Sequence, residues 1–212
     1  MNQTLTRKQF DILSILAEEK GTLSQRQLGE KSGHSLGTVN RVMQELTELQ
    51  YVTVGEITGA GISALGPYRA KRAIFIAAGF GSRLVPITFN TPKPLVRVHG
   101  QRIIDGLIDA CLDAGINEIY IVRGYLAEQF DQLLYKYPMI RFLENPVYNE
   151  ANNISSAMVA RYMLSNAYVF EADLLISNPK IITKYHYTSD FLAIKKLSLI
   201  HISEPTRLRR IS

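Results

Sequence analysis

The sequence predicts an α/β protein in which a small winged helix-turn-helix domain precedes a doubly wound, mostly parallel sheet. Over residues 1–66 the apolar residues recur every three or four positions, which is the spacing of the buried face of a helix. From Ala73 onward short apolar runs alternate with helical stretches, which is the βαβ pattern of a parallel sheet. The segment 67–72 between them contains proline and several charges and is predicted to be a linker.

The front domain is predicted as three helices and a short strand. An apolar stripe of Phe10, Leu13 and Ala17 indicates the first helix, and a capping box of Ser24 and Gln27 opens the second. The third helix and the strand follow at about residues 36–49 and 51–54. This order of elements is that of a winged helix-turn-helix, and its second and third helices resemble those of the MarR-like class.

The second domain is predicted to span residues 73–197. Its elements in chain order are a strand at 73–78, a helix at 103–114, a strand at 118–122, a helix at 126–135, a strand at 140–143, a helix at 153–164 and a strand at 167–171. Ligands of doubly wound sheets bind beyond the carboxyl ends of the strands. Gly79–Lys93 and Asp173 both follow a strand, so we expect them at one ligand-binding edge.

The last residues, 198–212, differ from the rest of the chain. They show neither helical nor strand periodicity and resemble the translated adapter sequence that ends some metagenomic reading frames; a genuine basic tail is the alternative. Residues 195–212 hold four of the five net positive charges, so the basic balance says little about the folded domains. We therefore expect a non-native tail and a second domain that is incomplete at its C-terminal end.

Composition argues against membrane and secreted classes. No apolar run approaches the about 20 residues needed to cross a bilayer, and the N-terminus lacks an apolar signal core. The single cysteine, Cys111, can form no internal disulfide and is expected to be a small buried core residue. A cytoplasmic protein without a membrane partner is therefore expected.

A glycine-rich loop follows the first strand of the second domain. Gly79 and Gly81 permit positive φ angles and close backbone approach, so their amides can form a nest for a polyphosphate. Arg83 and Lys93 add the positive charge that nucleotidyl transfer requires. The loop is not a dinucleotide fingerprint, because Leu84 occupies the third glycine position, and no Gly-Lys-Ser/Thr follows to make a P-loop.

The string around this loop resembles the signature of the sugar-phosphate and phosphocholine nucleotidyltransferases. The matching residues are Ala77-Ala78-Gly79-Phe80-Gly81-Ser82-Arg83-Leu84, Pro86, Thr88 and Pro92-Lys93-Pro94-Leu95. The resemblance implies a nucleotide-binding loop made by Ala77, Ala78, Gly79, Gly81, Ser82 and Arg83. It implies two catalytic residues, in which Arg83 holds the leaving pyrophosphate and Lys93 contacts the acceptor phosphate or the α-phosphate.

Three further segments extend the resemblance. Asp173 resembles the family's Mg²⁺-binding aspartate at a strand end, although a solvated acidic loop is the alternative. Gly124 and Tyr125 resemble a nucleotide-binding element near the base or acceptor pocket, and Tyr125 could equally be a packing residue. The segment 145–156 resembles that of bacterial CTP:phosphocholine cytidylyltransferases. Its implied acceptor-binding residues are Tyr148, Asn152 and Asn153, while helix capping alone is the alternative for the asparagine pair.

The front domain carries a weaker functional signal. If it binds DNA, the third helix enters the major groove, and the candidate contacts near its start are Ser35, Thr38, Asn40 and Arg41. Residues 1–72 have a net charge of only +2, which is low for a DNA-binding surface. A helical docking module that never contacts DNA is therefore the alternative.

The sequence thus favours a Mg²⁺-dependent enzyme that joins a nucleoside triphosphate, CTP first, to a phosphorylated acceptor and releases pyrophosphate. Phosphocholine is the expected acceptor, and a sugar 1-phosphate is the alternative. A rival interpretation is a DNA-binding regulator whose transferase-like domain only senses a nucleotide. The full set of Arg83, Lys93 and Asp173 favours the enzyme, because a sensor has no need of a metal carboxylate. The resemblance covers the first half to two thirds of such a catalytic domain, so a chain of this length is expected to turn over poorly.

Overall fold

A computed structural model describes residues 4–19, 22–150 and 153–191, and the tail predicted at 198–212 lies outside the described residues. The front domain is formed by α1 (Arg7–Glu18), α2 (Gln25–Ser32), α3 (Leu36–Glu48), β1 (Val52–Thr53), β2 (Glu56–Ile57) and α4 (Gly59–Ala64). The predicted capping box opens α2. The Ser24 side chain accepts from the Gln27 backbone N–H, and the Gln27 side chain accepts from the Ser24 backbone N–H. The predicted winged helix-turn-helix is confirmed.

The wing differs in detail from the sequence prediction. The single strand predicted at residues 51–54 is a two-residue strand, β1, which pairs antiparallel with β2 across a tight turn at Gly55. The short helix α4 was not predicted, and it begins where the Thr58 side chain accepts from the Gly61 N–H. Gly61 packs so closely that a Cβ there would lie 2.4 Å from the Tyr51 carbonyl oxygen. The helix could not be predicted from the sequence, because two of its six residues are glycines, which have a low helix propensity.

The second domain contains a four-stranded, wholly parallel sheet. Its elements are β3 (Arg72–Ile76), β4 (Arg97–Val98), β5 (Gln101–Arg102), α5 (Ile103–Asp113), β6 (Glu118–Arg123), β7 (Arg141–Glu144), α6 (Asn153–Val159) and β8 (Ala167–Glu171). The strand order is β7-β6-β3-β8, and the short strands β4 and β5 form a separate antiparallel pair. From β3 the chain adds β6 and then β7 on one side, and it then returns to place β8 on the other side of β3. The strand order therefore reverses between the neighbouring strands β3 and β8, as in a doubly wound fold.

Both faces of this sheet are covered by helices, as predicted. Phe75, which lies on β3, is fully buried among the side chains of α5, whereas its neighbour Ile74 packs on the opposite face with Ala160 and Val159. Successive strand residues point to opposite faces, so a strand buried on both sides is apolar throughout. Cys111 is buried in the α5 core, and burial raises the pKa of its thiol to about 12.

Two predicted α-helices take another form. The predicted helix at 126–135 is a 3-10 helix, Ala127–Tyr135, which starts after Leu126 in a left-handed conformation (φ 47°). Arg123 holds its first turn, because its guanidinium donates to the Ala127 carbonyl and the Asp131 carboxylate. The predicted helix at 153–164 ends as α6 at Val159 and continues only as a short 3-10 turn.

The two domains share a hydrophobic core. Tyr68, from the predicted linker, stacks on Tyr187 at a centroid distance of 5.5 Å, and both rings contact Phe10 of α1. Tyr185 is buried in the same cluster, and the His186 N–H donates to the Tyr68 carbonyl. A segment that follows the sheet by sequence thus completes the core of the front domain. Among the described residues no helix is long and apolar enough to cross a membrane.

Candidate active site

A cleft of about 330 Å³ opens at the carboxyl ends of β3 and β8. This edge is the point where the strand order reverses, which is where doubly wound sheets bind their ligands. Of the residues predicted from the sequence, those that line the cleft are Ala77, Gly79, Gly81, Ser82, Arg83, Lys93, Asn153 and Asp173. The folded sheet therefore gathers into one cleft residues that are far apart in the sequence.

The glycine loop leaves β3 through a tight left-handed turn. Gly81 has a φ of 62°, a conformation that side chains rarely adopt, and a 3-10 turn over Ser82–Leu84 follows it. A Cβ on Gly81 would lie 3.1 Å from the Thr88 methyl carbon and 3.2 Å from the Lys93 Cβ. Two separate reasons thus favour glycine at position 81: the left-handed backbone conformation and the close approach of the neighbouring side chains.

The cleft holds one cation that is paired and one that is not. The Lys93 ammonium donates to the Asp173 carboxylate, which joins the turn after the glycine loop to the end of β8. Arg83 is exposed on the loop itself, and no acidic group pairs with it in the part of the chain that the structure describes. The loop therefore offers a guanidinium to an anion that enters the cleft.

A second carboxylate stands beside Asp173. Glu171 is the last residue of β8, and it accepts a hydrogen bond of 2.7 Å from the Asn153 side chain at the start of α6. Burial and the nearby Asp173 charge raise the pKa of Glu171, while the Asn153 bond and the Lys93 charge act in the opposite direction. Two acidic groups thus converge at one side of the cleft.

This pair of carboxylates fits a cation that prefers oxygen ligands, such as Mg²⁺, better than a cation that prefers nitrogen or sulfur ligands. Mg²⁺ is usually held by one or two carboxylates together with phosphate oxygens and water, so it needs few protein ligands. Among the described residues no group of three or more His, Cys, Asp and Glu side chains could enclose a metal ion. A metal at Asp173 would therefore need oxygen ligands from a bound substrate.

The other predicted site residues pack behind the loop. Tyr125 contacts Phe80 of the glycine loop at a ring-centroid distance of 4.8 Å, and Tyr148 contacts the same ring at 5.4 Å. A Cβ on Gly124 would lie 2.7 Å from the Tyr148 side chain, so Gly124 makes room for that ring. Ala78 accepts a hydrogen bond from the Tyr125 N–H. None of these residues lines the cleft, and Asn152 lies outside the described residues.

One residue at this site was missed as a functional candidate in its own right. Thr88 was noticed only as part of the signature. Thr88 is almost completely buried and donates a hydrogen bond of 3.0 Å to the Gly81 carbonyl. The sequence does not show that the glycine turn folds back onto Thr88. Its buried hydroxyl can therefore be recognised as a support of the turn only from the structure.

The predicted DNA-contacting residues lie at the start of α3. Ser35 caps this helix, where its side chain accepts from the Thr38 N–H, and Asn40 and Arg41 are exposed. Arg41 forms an ion pair of 3.6 Å with Glu45 one turn along the helix. The cation that was expected to meet a DNA phosphate thus already has an acidic partner.

Comparisons with known proteins agree with this architecture. Residues 72–187 match the family model described as nucleotidyl transferase, and residues 5–53 match one described as winged helix-turn-helix DNA-binding. A 2-aminoethylphosphonate cytidylyltransferase of Lancefieldella rimae is 46% identical over 51% of this chain and 45% of its own length. A choline-phosphate cytidylyltransferase of Streptococcus pneumoniae is 45% identical over 48% of this chain and 44% of its own.

A solved structure of CTP:phosphocholine cytidylyltransferase from Streptococcus pneumoniae is 42% identical over 51% of this chain and 47% of that chain, with a TM-score of 0.49. The chain spans a little under half the length of these relatives. The nucleotidyl transferase match covers more than half of the chain and includes the glycine loop, Lys93 and Asp173. The chain belongs to the nucleotidyl transferase family and carries a winged helix-turn-helix in front of that domain.

Proposed function

We propose that this chain carries the nucleotide-binding part of a Mg²⁺-dependent cytidylyltransferase, which joins CTP to a phosphorylated acceptor and releases pyrophosphate. The observation that carries the proposal is the meeting of the glycine loop, Lys93 and Asp173 in one cleft at the strand-order reversal. A glycine turn, two cations and a carboxylate are what a nucleoside triphosphate with its metal requires.

The chemistry follows from where the charges lie. An oxygen of the acceptor phosphate attacks the α-phosphorus, and the bond to the bridging oxygen breaks, so that pyrophosphate leaves with the electron pair. Arg83, on the loop, neutralises charge that develops on the leaving pyrophosphate. Lys93 leaves Asp173 and contacts the acceptor phosphate or the α-phosphate. Magnesium, held by Asp173 and phosphate oxygens, would supply further charge neutralisation.

Phosphocholine is the acceptor that we propose first, with a sugar 1-phosphate as the alternative. The support is the segment at 145–156, together with relatives whose names specify 2-aminoethylphosphonate and choline phosphate as substrates. Asn145 is buried and donates to the Ser155 and Ser156 hydroxyls, which fixes this segment against the start of α6. Asn153 then reaches the cleft from the first turn of that helix.

Nucleotide titration tests the proposal on the chain itself. With Mg²⁺ present we expect CTP to bind more tightly than UTP, GTP or ATP, and we expect Arg83→Ala to weaken that binding. Arg26→Ala is the matched control, because Arg26 is an exposed arginine of the front domain that forms an ion pair with Glu30, one turn along its own helix. Pyrophosphate release with phosphocholine, measured after the transferase domain has been completed to the length of its relatives, tests turnover. The proposal fails if no triphosphate binds the chain.

DNA binding by the front domain is a second candidate function. It is favoured by the match of residues 5–53 to a DNA-binding winged helix-turn-helix model. Because Arg41 is paired with Glu45, we expect such binding to be weak. We also expect the affinity to fall steeply as the salt concentration rises, because contacts with DNA phosphates release bound counterions. Titration of labelled duplexes at two salt concentrations tests this, with Arg41→Ala as the variant. Absence of salt-dependent binding would leave the front domain as a docking module.

A further inference from the structure

We propose that Thr88 is a positioning residue, whose side chain holds the glycine loop in the conformation that receives the nucleotide. This inference rests on the proposed function for its consequence, and on the geometry behind the loop for its argument. It assigns to Thr88 a role in a reaction whose reacting atoms Thr88 does not touch.

Thr88 contacts the loop through both branches of its side chain. Its hydroxyl donates to the Gly81 carbonyl at 3.0 Å, and its methyl carbon lies 3.1 Å from the position that a Cβ on Gly81 would occupy. The same carbonyl accepts the Leu84 N–H at 3.0 Å, which closes the 3-10 turn after the loop. The Thr88 side chain therefore stabilises the left-handed turn through the carbonyl of Gly81 itself.

Thr88 is itself fixed by a tyrosine that reaches across from the end of β6. The Tyr125 hydroxyl donates to the carbonyls of Thr88 at 3.0 Å and Phe89 at 3.1 Å, which share its single proton. The Tyr125 N–H donates to the Ala78 carbonyl, and its ring packs on Phe80. One tyrosine thus contacts the loop before the left-handed turn and the segment that supports the turn from behind.

The burial of Thr88 makes this arrangement sensitive to a single atom. Only 1% of Thr88 is exposed, so water cannot replace the hydroxyl if it is removed. Loss of the hydroxyl would leave the Gly81 carbonyl with only the Leu84 N–H, while the methyl contact would persist in valine. A preformed anion nest binds without first being ordered, so a looser loop weakens nucleotide binding.

Hydrogen exchange and nucleotide affinity test the proposal on the whole chain. Thr88→Val removes the hydroxyl and keeps the shape, Thr88→Ser keeps the hydroxyl, and Tyr125→Phe removes the bond to the Thr88 carbonyl but keeps the ring. The matched control is Thr47→Val, because the Thr47 hydroxyl also donates to a backbone carbonyl, that of Met43, but on an exposed face of the front domain. We expect Thr88→Val to speed amide exchange in the 79–89 segment about fivefold, as loss of one hydrogen bond does, and Thr88→Ser and Thr47→Val to leave it within about twofold.

For CTP with Mg²⁺ we expect Thr88→Val to weaken binding about tenfold, a result that serine restores. Unchanged exchange in both Thr88→Val and Tyr125→Phe overturns the proposal, whatever the nucleotide does. Should Thr88→Val fail to fold, Tyr125→Phe decides by the same criterion. If exchange rises as expected but the wild-type chain binds no triphosphate, the positioning role stands and the proposed function fails.

Discussion

The Lys93 ammonium and the Asp173 carboxylate form an ion pair across the cleft, although 80 residues separate them in the chain. About one third of each side chain is exposed, at 34% for Lys93 and 31% for Asp173, so water and ions can compete for the pair. The lysine thus pairs with the carboxylate that is proposed to hold the metal. If Asp173 holds the metal as proposed, the metal and the lysine compete for it, and a phosphate that attracts Lys93 would leave Asp173 to the metal.

Lys93→Met is therefore expected to strengthen the binding of Mn²⁺ or Mg²⁺ to the chain in the absence of nucleotide. Removal of the competing ammonium should tighten metal binding about two- to fivefold, as expected for a partly exposed ion pair. Calorimetric titration with each metal measures this. The double variant with Asp173→Asn is the control and should lose the gain. Equal metal affinity in wild type and Lys93→Met would show that the ion pair does not compete with the metal.

Charge removal at the cleft is expected to slow the completed transferase without unfolding it. Arg83→Ala and Lys93→Ala should each lower kcat about 100-fold or more, as loss of a transition-state charge partner does. Asp173→Asn keeps the shape of the side chain and should abolish Mg²⁺-dependent turnover. Pyrophosphate release measures all three, and circular dichroism checks the fold. Near-normal rates would remove these residues from the site.

Gly81→Ala is expected to weaken nucleotide binding more than a change at the other glycine of the loop. Alanine would have to adopt a φ of 62° with its methyl 3.1 Å from Thr88 and 3.2 Å from Lys93. Gly79→Ala is the matched control, since nothing lies within 4 Å of a Cβ at that position and its φ is not left-handed. CTP titration should give a loss of affinity of about tenfold or more for Gly81→Ala and a smaller loss for Gly79→Ala. Equal effects of the two changes would contradict the packing described for the loop.

The shared core predicts that the front domain depends on a segment of the second domain. Tyr185 is only 8% exposed, so Tyr185→Ala should lower the free energy of unfolding by about 3 kcal/mol. Tyr135→Ala is the control, because that ring is 95% exposed and its loss should change stability little. Urea unfolding of both variants measures the difference. A Tyr185 variant as stable as wild type would mean that the two domains do not share a core.

The junction between the domains also predicts a pH effect at Glu18. Glu18 is exposed as a residue, but neighbouring atoms partly exclude water from its carboxyl, and this desolvation raises the pKa above its ordinary value. The Lys184 N–H and the charges of His186 and Lys184 oppose the rise, while Glu19 adds to it. Deprotonation is therefore less favourable in the folded state, so the free energy of unfolding falls as pH rises from the ordinary pKa through the raised one.

Glu18→Gln should remove this part of the pH dependence, because glutamine keeps the acceptor and carries no charge. We expect the variant to be more stable than wild type at neutral pH and equally stable below about pH 3, where the carboxyl is protonated in both states. Urea unfolding across that range measures the difference, with the exposed Glu30→Gln as control. A constant difference at every pH would mean that the effect is not one of charge.

Sequence patterns were sufficient for the elements whose cause is local. The capping box of Ser24 and Gln27 and the continuous apolar run of β3 act within a few residues, so the helix-turn-helix and the parallel sheet could be predicted. The glycine loop was recognised in the same way, because its chemistry depends on residues adjacent in the chain. Prediction failed at Gly59–Ala64 and at 127–135, where glycine content and a left-handed Leu126 overrode the helical pattern.

By itself the sequence determined which groups could bind a nucleotide, namely a glycine turn, Arg83, Lys93 and a carboxylate after a strand. Only the tertiary structure decided that Lys93 meets Asp173 and that Thr88 supports Gly81. The order β7-β6-β3-β8 puts the ends of β3 and β8 side by side, although their paired residues, Ile76 and Glu171, are 95 positions apart in the sequence. Contacts of this kind arise from strand pairing and chain reversal, whose partners no local periodicity specifies.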